Sequence, residues 1–317
     1  MSRARCVGRA ENSFRAVRLL AEATGQGGRP VPTSCFALRS VSVVVFALVV
    51  GALTGCAHFF HESPRGEADR VGLVFPERLS RGCVFYLTGV AGECGTDRFL
   101  IEALKRAELD LGVVVYDWTD LQGGRRSNLQ SYEEHRVQAQ RIAERIITYQ
   151  QLNPGKPVHL LGYSGGGAMA AFVLESLPPE HAVDSAIMLA PVVAPEYDLS
   201  RAMAGCRGPI YCFYSSLDVG ALMLCTTLMG NMDGYKGRAA GAVGFVPPSH
   251  LTAAEQEAYR RRLIQVGYDS RMLAAGHLGG HYGWTNPWFV SQWIVPLLRD
   301  RPVEPAATTA ALPVAAH

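Results

Sequence analysis

Three residue types that together make a nucleophile stand in order along this chain: Ser164, Asp218 and His281. A serine hydroxyl attacks only when a base takes its proton, and a histidine can do so near neutral pH. An aspartate behind the histidine holds the right tautomer and stabilises the imidazolium that forms. The serine lies in Gly162-Tyr163-Ser164-Gly165-Gly166-Gly167, which contains Gly-x-Ser-x-Gly. That pattern arises by chance roughly 0.2 times in a chain this rich in glycine, so its placement must carry the reading.

The placement is informative. Val158-His159-Leu160-Leu161 ahead of the motif suits a buried strand, and Ala168 to Glu175 behind it suits a helix. A serine on a tight strand-to-helix turn is the context in which the motif acquires a mechanism, because only glycine neighbours escape the crowding there. The helix that follows offers unpaired N–H groups and partial positive charge to a developing oxyanion.

Each partner also follows an apolar run. Pro209-Ile210-Tyr211-Cys212-Phe213-Tyr214 reads as a strand and Asp218 lies just past it. Asp198, after the strand expected at Ser185–Ala190, is the alternative acid. Ser270–Ala274 is expected to be the last strand, followed by a glycine-rich loop holding His277 and His281. His281 is favoured as base because it lies just before the helix that Asn286-Pro287 opens. His277 is the alternative. Two glycines between these histidines disfavour the helix that a zinc pair would need, so no metal is expected.

Further strands are expected at Val71–Phe75, an edge strand, and at Cys83–Leu87 and Gly112–Tyr116. Helices are expected over Thr96–Leu109, from a capping box at Ser131-Tyr132-Glu133-Glu134, and from a second box at Thr252 running to about Ile264. Strands alternating with helices argue for a parallel sheet covered on both faces, with the strand carboxyl ends on one edge. The Thr88-Gly89-Val90 loop leaves an early strand. The Val90 N–H is the candidate second oxyanion donor beside Gly165, with Gly89 next to it.

The order Ser164, Asp218, His281, with each residue after a strand run, resembles the α/β-hydrolase superfamily over roughly residues 81–300. The resemblance implies an α/β fold, a mostly parallel sheet with helices on both faces; the chain ahead of Cys83 is short for the first antiparallel strands of that fold, so the sheet is expected to be trimmed there. It implies a serine hydrolase working through an acyl-enzyme, with Ser164 as nucleophile, His281 as base, Asp218 as orienter and the N–H groups of Gly165 and Val90 as the oxyanion hole. It implies no cofactor. The oxyanion loop departs from the common pattern in reading Thr88-Gly89 where His-Gly is usual.

Val41 to Val50 is the most apolar run, with Arg39 before it and Gly51-Ala52-Leu53-Thr54-Gly55-Cys56 after it. Ten residues are too few for a membrane span and have the proportions of a signal-peptide core. Leu53-Thr54-Gly55-Cys56 resembles the bacterial lipobox, which implies lipidation of Cys56 and an envelope location, with Ala57 favouring the outer membrane. The stretch before Arg39 is long for such a signal, as an over-extended start would make it. The expected organisation is a signal over 1–55, a tether over 56–80, the hydrolase domain over 81–300 and a disordered tail over 301–317. A cap-like insertion is expected at about 228–265, with Met229, Met232 and Phe245 as candidates for an apolar acyl site.

A net charge of +2 gives no case for nucleic acid. Past Cys56 there are five cysteines, of which Cys206 and Cys212 form the nearest plausible disulfide. The expected substrate is a small or lipid-like ester or thioester. The rival readings are a peptidase or amidase on the same fold, and a binding lipoprotein that has lost turnover.

Overall fold

The computed structural model describes residues 71–299, apart from 94, 108, 120–123, 221 and 223–225. The expected signal, Cys56, most of the tether, Cys94, Cys225 and the tail lie outside the described residues.

Among the described residues seven strands form one sheet: β1 (Val71–Val74), β2 (Cys83–Leu87), β3 (Gly112–Tyr116), β4 (Val158–Tyr163), β5 (Ser185–Leu189), β6 (Ile210–Tyr214) and β7 (Leu263–Gly267). Their spatial order is β1-β3-β2-β4-β5-β6-β7. All neighbours are parallel except β1, which runs antiparallel to β3 with Val71 opposite Tyr116. Continuous apolar runs are what a strand covered on both faces requires, and β2 to β5 are buried along their whole length.

The helices in chain order are α1 (Thr96–Arg106), α2 (Gly124–Gln130), α3 (Tyr132–Leu152), α4 (Gly165–Ser176), α5 (Ser200–Ala204), α6 (Thr226–Met229), α7 (Ala240–Val243) and α8 (Ala253–Arg262). A helical stretch over 287–298 closes the described chain, with a π-helical turn at Val290–Ile294. The strand order reverses between β2 and β4. Right-handed crossovers therefore place α1 on one face and α3 and α4 on the other. In agreement, α3 packs on α4, and α1 packs on the closing helical stretch. This is the α/β-hydrolase fold that the sequence resembles. The reversal opens a crevice at the carboxyl ends of β2 and β4, where open α/β sheets form their sites.

Three local expectations are corrected. The last strand is β7 and not Ser270–Ala274, which forms a 3-10 helix capped by Asp269 through the Arg271 N–H. The Ser131 side chain makes no cap bond and lies 3.2 Å from Ser127 Oγ, so that capping box is absent, whereas the Thr252 box is complete. Cys206 and Cys212 are free thiols: Cys212 is buried in β6 and Cys206 Sγ turns to the Gly208 carbonyl at 3.4 Å.

Candidate active site

The position of Ser164 follows from three glycines and its own strained backbone. Ser164, between β4 and α4, has φ 56° and ψ −118°, a conformation costing a non-glycine residue on the order of 1–3 kcal/mol. Its N–H is held by the Leu189 carbonyl of β5 at 2.8 Å. A Cβ at Gly162 would overlap the Gly166 carbonyl, one at Gly166 would overlap the Leu87 carbonyl, and one at Gly165 would overlap Val90 Cγ1. Glycine therefore lets α4 start directly against the end of β2, which brings the Thr88–Val90 loop beside Ser164.

The structure brings Ser164, His281 and Asp218 into one hydrogen-bonded line. His281 Nε2 lies 3.0 Å from Ser164 Oγ, and Nδ1 lies 2.6 Å from Asp218 Oδ2. The carboxylate can only accept, so Nδ1 carries the proton and Nε2 presents its lone pair to the hydroxyl. All three are buried, with 4%, 6% and 2% exposure for Ser164, His281 and Asp218. Asp218 Oδ1 also accepts the Leu222 N–H at 3.3 Å.

The loops carrying Asp218 and His281 are tied together. Ser215 Oγ donates to the Gly279 carbonyl at 2.5 Å and accepts the Leu217 N–H at 3.2 Å. Tyr163 Oη donates to the His281 carbonyl at 3.3 Å, and its ring lies 5.1 Å from the imidazole.

The two alternatives lie elsewhere. His277 accepts the Gly279 N–H on Nδ1 at 2.9 Å and packs among Trp284, Phe289 and Tyr268, with ring distances of 4.1, 5.0 and 5.1 Å. Its Nε2 is buried without a partner among the described residues, and burial pushes its pKa down to about 4, so it stays neutral. Asp198 is a turn residue that accepts the Ser200 N–H at 2.8 Å and faces His250 at 3.7 Å on the surface.

The N–H groups of Gly165 and Val90 have no hydrogen-bond partner among the described residues. Several residues that the sequence left unassigned hold the Val90 loop. Asn128 Nδ2 donates to the Val90 carbonyl at 3.1 Å and Trp118 Nε1 to the Thr88 carbonyl at 2.7 Å. Asp117 accepts from Thr119 Oγ1 at 2.6 Å and from the Glu93 N–H at 3.0 Å. Asp97 accepts the Gly89 N–H at 3.0 Å. Asp117 and Trp118 had a signal, as they follow β3 at the carboxyl edge. Asp97 had none beyond an acidic residue in a helix's first turn.

Of the apolar candidates, Met232 is fully buried and its sulfur would lie 3.1 Å from a Cβ at Gly165. Phe245 is buried beside β7, its N–H held by Gln265 Oε1 at 2.6 Å. Met229 is partly buried against the core. No group of three or more metal-ligating side chains occurs among the described residues.

Compared with models of protein families and with curated proteins, the sequence matches none. Solved structures do resemble it. The poly(3-hydroxybutyrate) depolymerase LpqC from Bordetella parapertussis is 16% identical, with 75% of this chain and 90% of that one covered and a TM-score of 0.44. Est1E from Butyrivibrio proteoclasticus is 9% identical over 72% of this chain and 91% of that one, with a TM-score of 0.41. The dienelactone hydrolase-like promiscuous phosphotriesterase P91 from metagenomic libraries is 13% identical over 69% and 85%, with a TM-score of 0.39.

Proposed function

We propose that this protein is a serine hydrolase that cleaves carboxylic esters or thioesters through an acyl-enzyme, held at the cell envelope by a lipid on Cys56. The observation that carries the catalytic part is the buried Ser164–His281–Asp218 line, with contacts of 3.0 and 2.6 Å. The anchor rests on the signal-like run and the lipobox-like Leu53–Cys56. No helix among the described residues is long and apolar enough to cross a membrane.

In this reading Ser164 Oγ attacks the substrate carbonyl while His281 Nε2 takes its proton. The carbonyl oxygen becomes an oxyanion that the N–H groups of Gly165 and Val90 stabilise. The carbon–oxygen or carbon–sulfur bond then breaks, Nε2–H protonates the leaving alkoxide or thiolate, and the acyl group stays on Ser164. Water attacks the acyl-enzyme with His281 again as base, releasing the acid and restoring the serine. Asp218 keeps its proton count throughout and stabilises the imidazolium of each half-reaction. Met232 and Trp118, which border Gly165, give the acyl side an apolar wall.

The direct test is labelling of the full-length protein with a fluorophosphonate probe, followed by peptide mapping, with Ser164→Ala as control. Labelling on Ser164 that the substitution abolishes supports the reading and opens a screen of esters of graded acyl length. A folded protein that takes no label sinks it. The anchor is tested by mass spectrometry of the mature N-terminal peptide, where an unmodified Cys56 refutes lipidation.

A further inference from the structure

Asp97 stands in the first turn of α1, where an acidic side chain commonly serves the helix itself. Gly95 at the cap position has no side chain to offer the helix, and Asp97's own backbone N–H is one donor to its carboxylate. The carboxylate turns inward, 2% exposed, and its Oδ1 accepts two hydrogen bonds, from Tyr86 Oη at 2.5 Å and from the Gly89 N–H at 3.0 Å.

Gly89 is the residue between the end of β2 and the Val90 donor. A Cβ added there would lie 3.6 Å from Asp97 Oδ2 and 3.7 Å from Ser164 Cβ, so carboxylate, glycine and nucleophile are stacked in succession. Glycine has the widest backbone freedom of any residue. The peptide unit after it carries the Val90 N–H; its carbonyl end accepts the Gly92 N–H at 3.0 Å, so the direction of the Val90 N–H depends on that turn and on how the Gly89 amino side is held. Asp97 holds its amino side, and Asn128, through the Val90 carbonyl at 3.1 Å, holds the far side of Val90.

We infer that Asp97 is a positioning residue for acyl transfer: by holding the Gly89 N–H it aims the Val90 N–H at the oxyanion. This inference rests on the hydrolase reading above. The energetics agree with a role beyond packing. Burial pushes the Asp97 pKa up to about 7 against the pull of its three donors, Tyr86 Oη, the Gly89 N–H and its own N–H, so ionising it is costly where it stands. An apolar residue would fill the space without that cost.

The test uses the full-length protein and two readouts. Hydrogen–deuterium exchange over residues 86–93 reports the clamp whether or not the protein turns over. Kinetics on a soluble ester report its consequence. Asp97→Ala is expected to speed exchange in that loop and to lower kcat about 10–100-fold, with KM changed less than about threefold. Asp97→Asn keeps an acceptor at Oδ1 and is expected to hold kcat within about fivefold of wild type, which also covers an alanine variant that fails to fold. Unchanged loop exchange in Asp97→Ala would overturn the clamp. Faster exchange with unchanged kcat, or an equal loss in Asp97→Asn, would overturn positioning through the hydrogen bond. A wild type unlabelled by fluorophosphonate would instead overturn the hydrolase reading, and the catalytic consequence with it, while exchange still judged the clamp.

Discussion

The N–H of Ser164 donates to the Leu189 carbonyl at 2.8 Å although Ser164 itself sits at φ 56°. A strained residue persists only where its surroundings over-determine it, and here the neighbouring strand does so. The glycines complete the restraint. Gly166→Ala would drive a methyl group into the Leu87 carbonyl and is expected to cost at least about 3 kcal/mol. Gly280→Ala, at φ −84° with nothing within 4 Å of the new Cβ, is expected to change stability by less than about 0.5 kcal/mol. Denaturant midpoints of the two variants check the contrast.

Asp218→Asn leaves the shape of the line intact but offers an amide to His281 Nδ1, which favours the wrong tautomer. In the hydrolase reading, kcat on a soluble ester is expected to fall about 10⁴-fold. Asp198→Asn and His277→Phe, whose side chains do not touch Ser164 or His281, are expected to leave kcat within about threefold. Equal losses from Asp198→Asn would show the wrong carboxylate has been assigned.

Stability should depend on pH through Asp97, which faces Tyr86, Tyr163 and Asp117. Between 3.8 and about 7 the folded chain keeps a proton on this carboxyl that the unfolded chain has released. Stability therefore falls as pH rises through that window, by up to about 1.4 kcal/mol per pH unit. Asp97→Asn removes this dependence. Its melting temperature is expected to exceed that of wild type at pH 8, and the advantage should vanish at pH 4. Parallel melting curves for the two proteins from pH 4 to 8 would refute the assignment.

Glu175 of α4 is buried between Arg136 Nη1 at 2.6 Å and Tyr197 Oη at 2.7 Å. Arg136→Met would strand the carboxylate and is expected to cost about 3 kcal/mol, since a buried charge that loses its partner is penalised heavily. Adding Glu175→Leu should recover most of that loss. A double-mutant cycle by chemical denaturation measures it.

The sheet was legible where strands are continuous apolar runs beside a glycine, as at Cys83–Leu87, between Gly82 and Gly89, and at Gly112–Tyr116, which opens on one. It was not legible at β7. The helix that begins at Thr252 ends at Arg262 and the strand begins at Leu263, with no glycine or proline between them to mark the change. As an edge strand with Ile264 and Gln265 exposed, β7 also lacks a fully apolar run. The segment read as a strand instead, Ser270–Ala274, is apolar enough, but its Asp269 cap and the left-handed Gly276 close it as a 3-10 turn. The meeting of Ser164 and Asp218 was foreseeable because each stands beyond a strand, whereas His281 was expected beyond Ser270–Ala274, which is a 3-10 helix, and the strand ahead of it is β7. The place of Asp97 was not foreseeable, because its hydrogen bond to Gly89 joins two turns whose approach depends on where α1 settles against β2.

The one antiparallel strand also bears on how an anchored enzyme would work. Val71 pairs with Tyr116, the last residue of β3, so the chain enters the domain on the same edge from which Ser164 faces out. Fourteen residues separate Cys56 from Val71, a leash of at most about 50 Å when extended. A lipid on Cys56 would then fasten the enzyme from the side of its mouth. Its working radius would be a shallow zone above the bilayer, and acyl groups released from that surface would be reached sooner than those diffusing from afar.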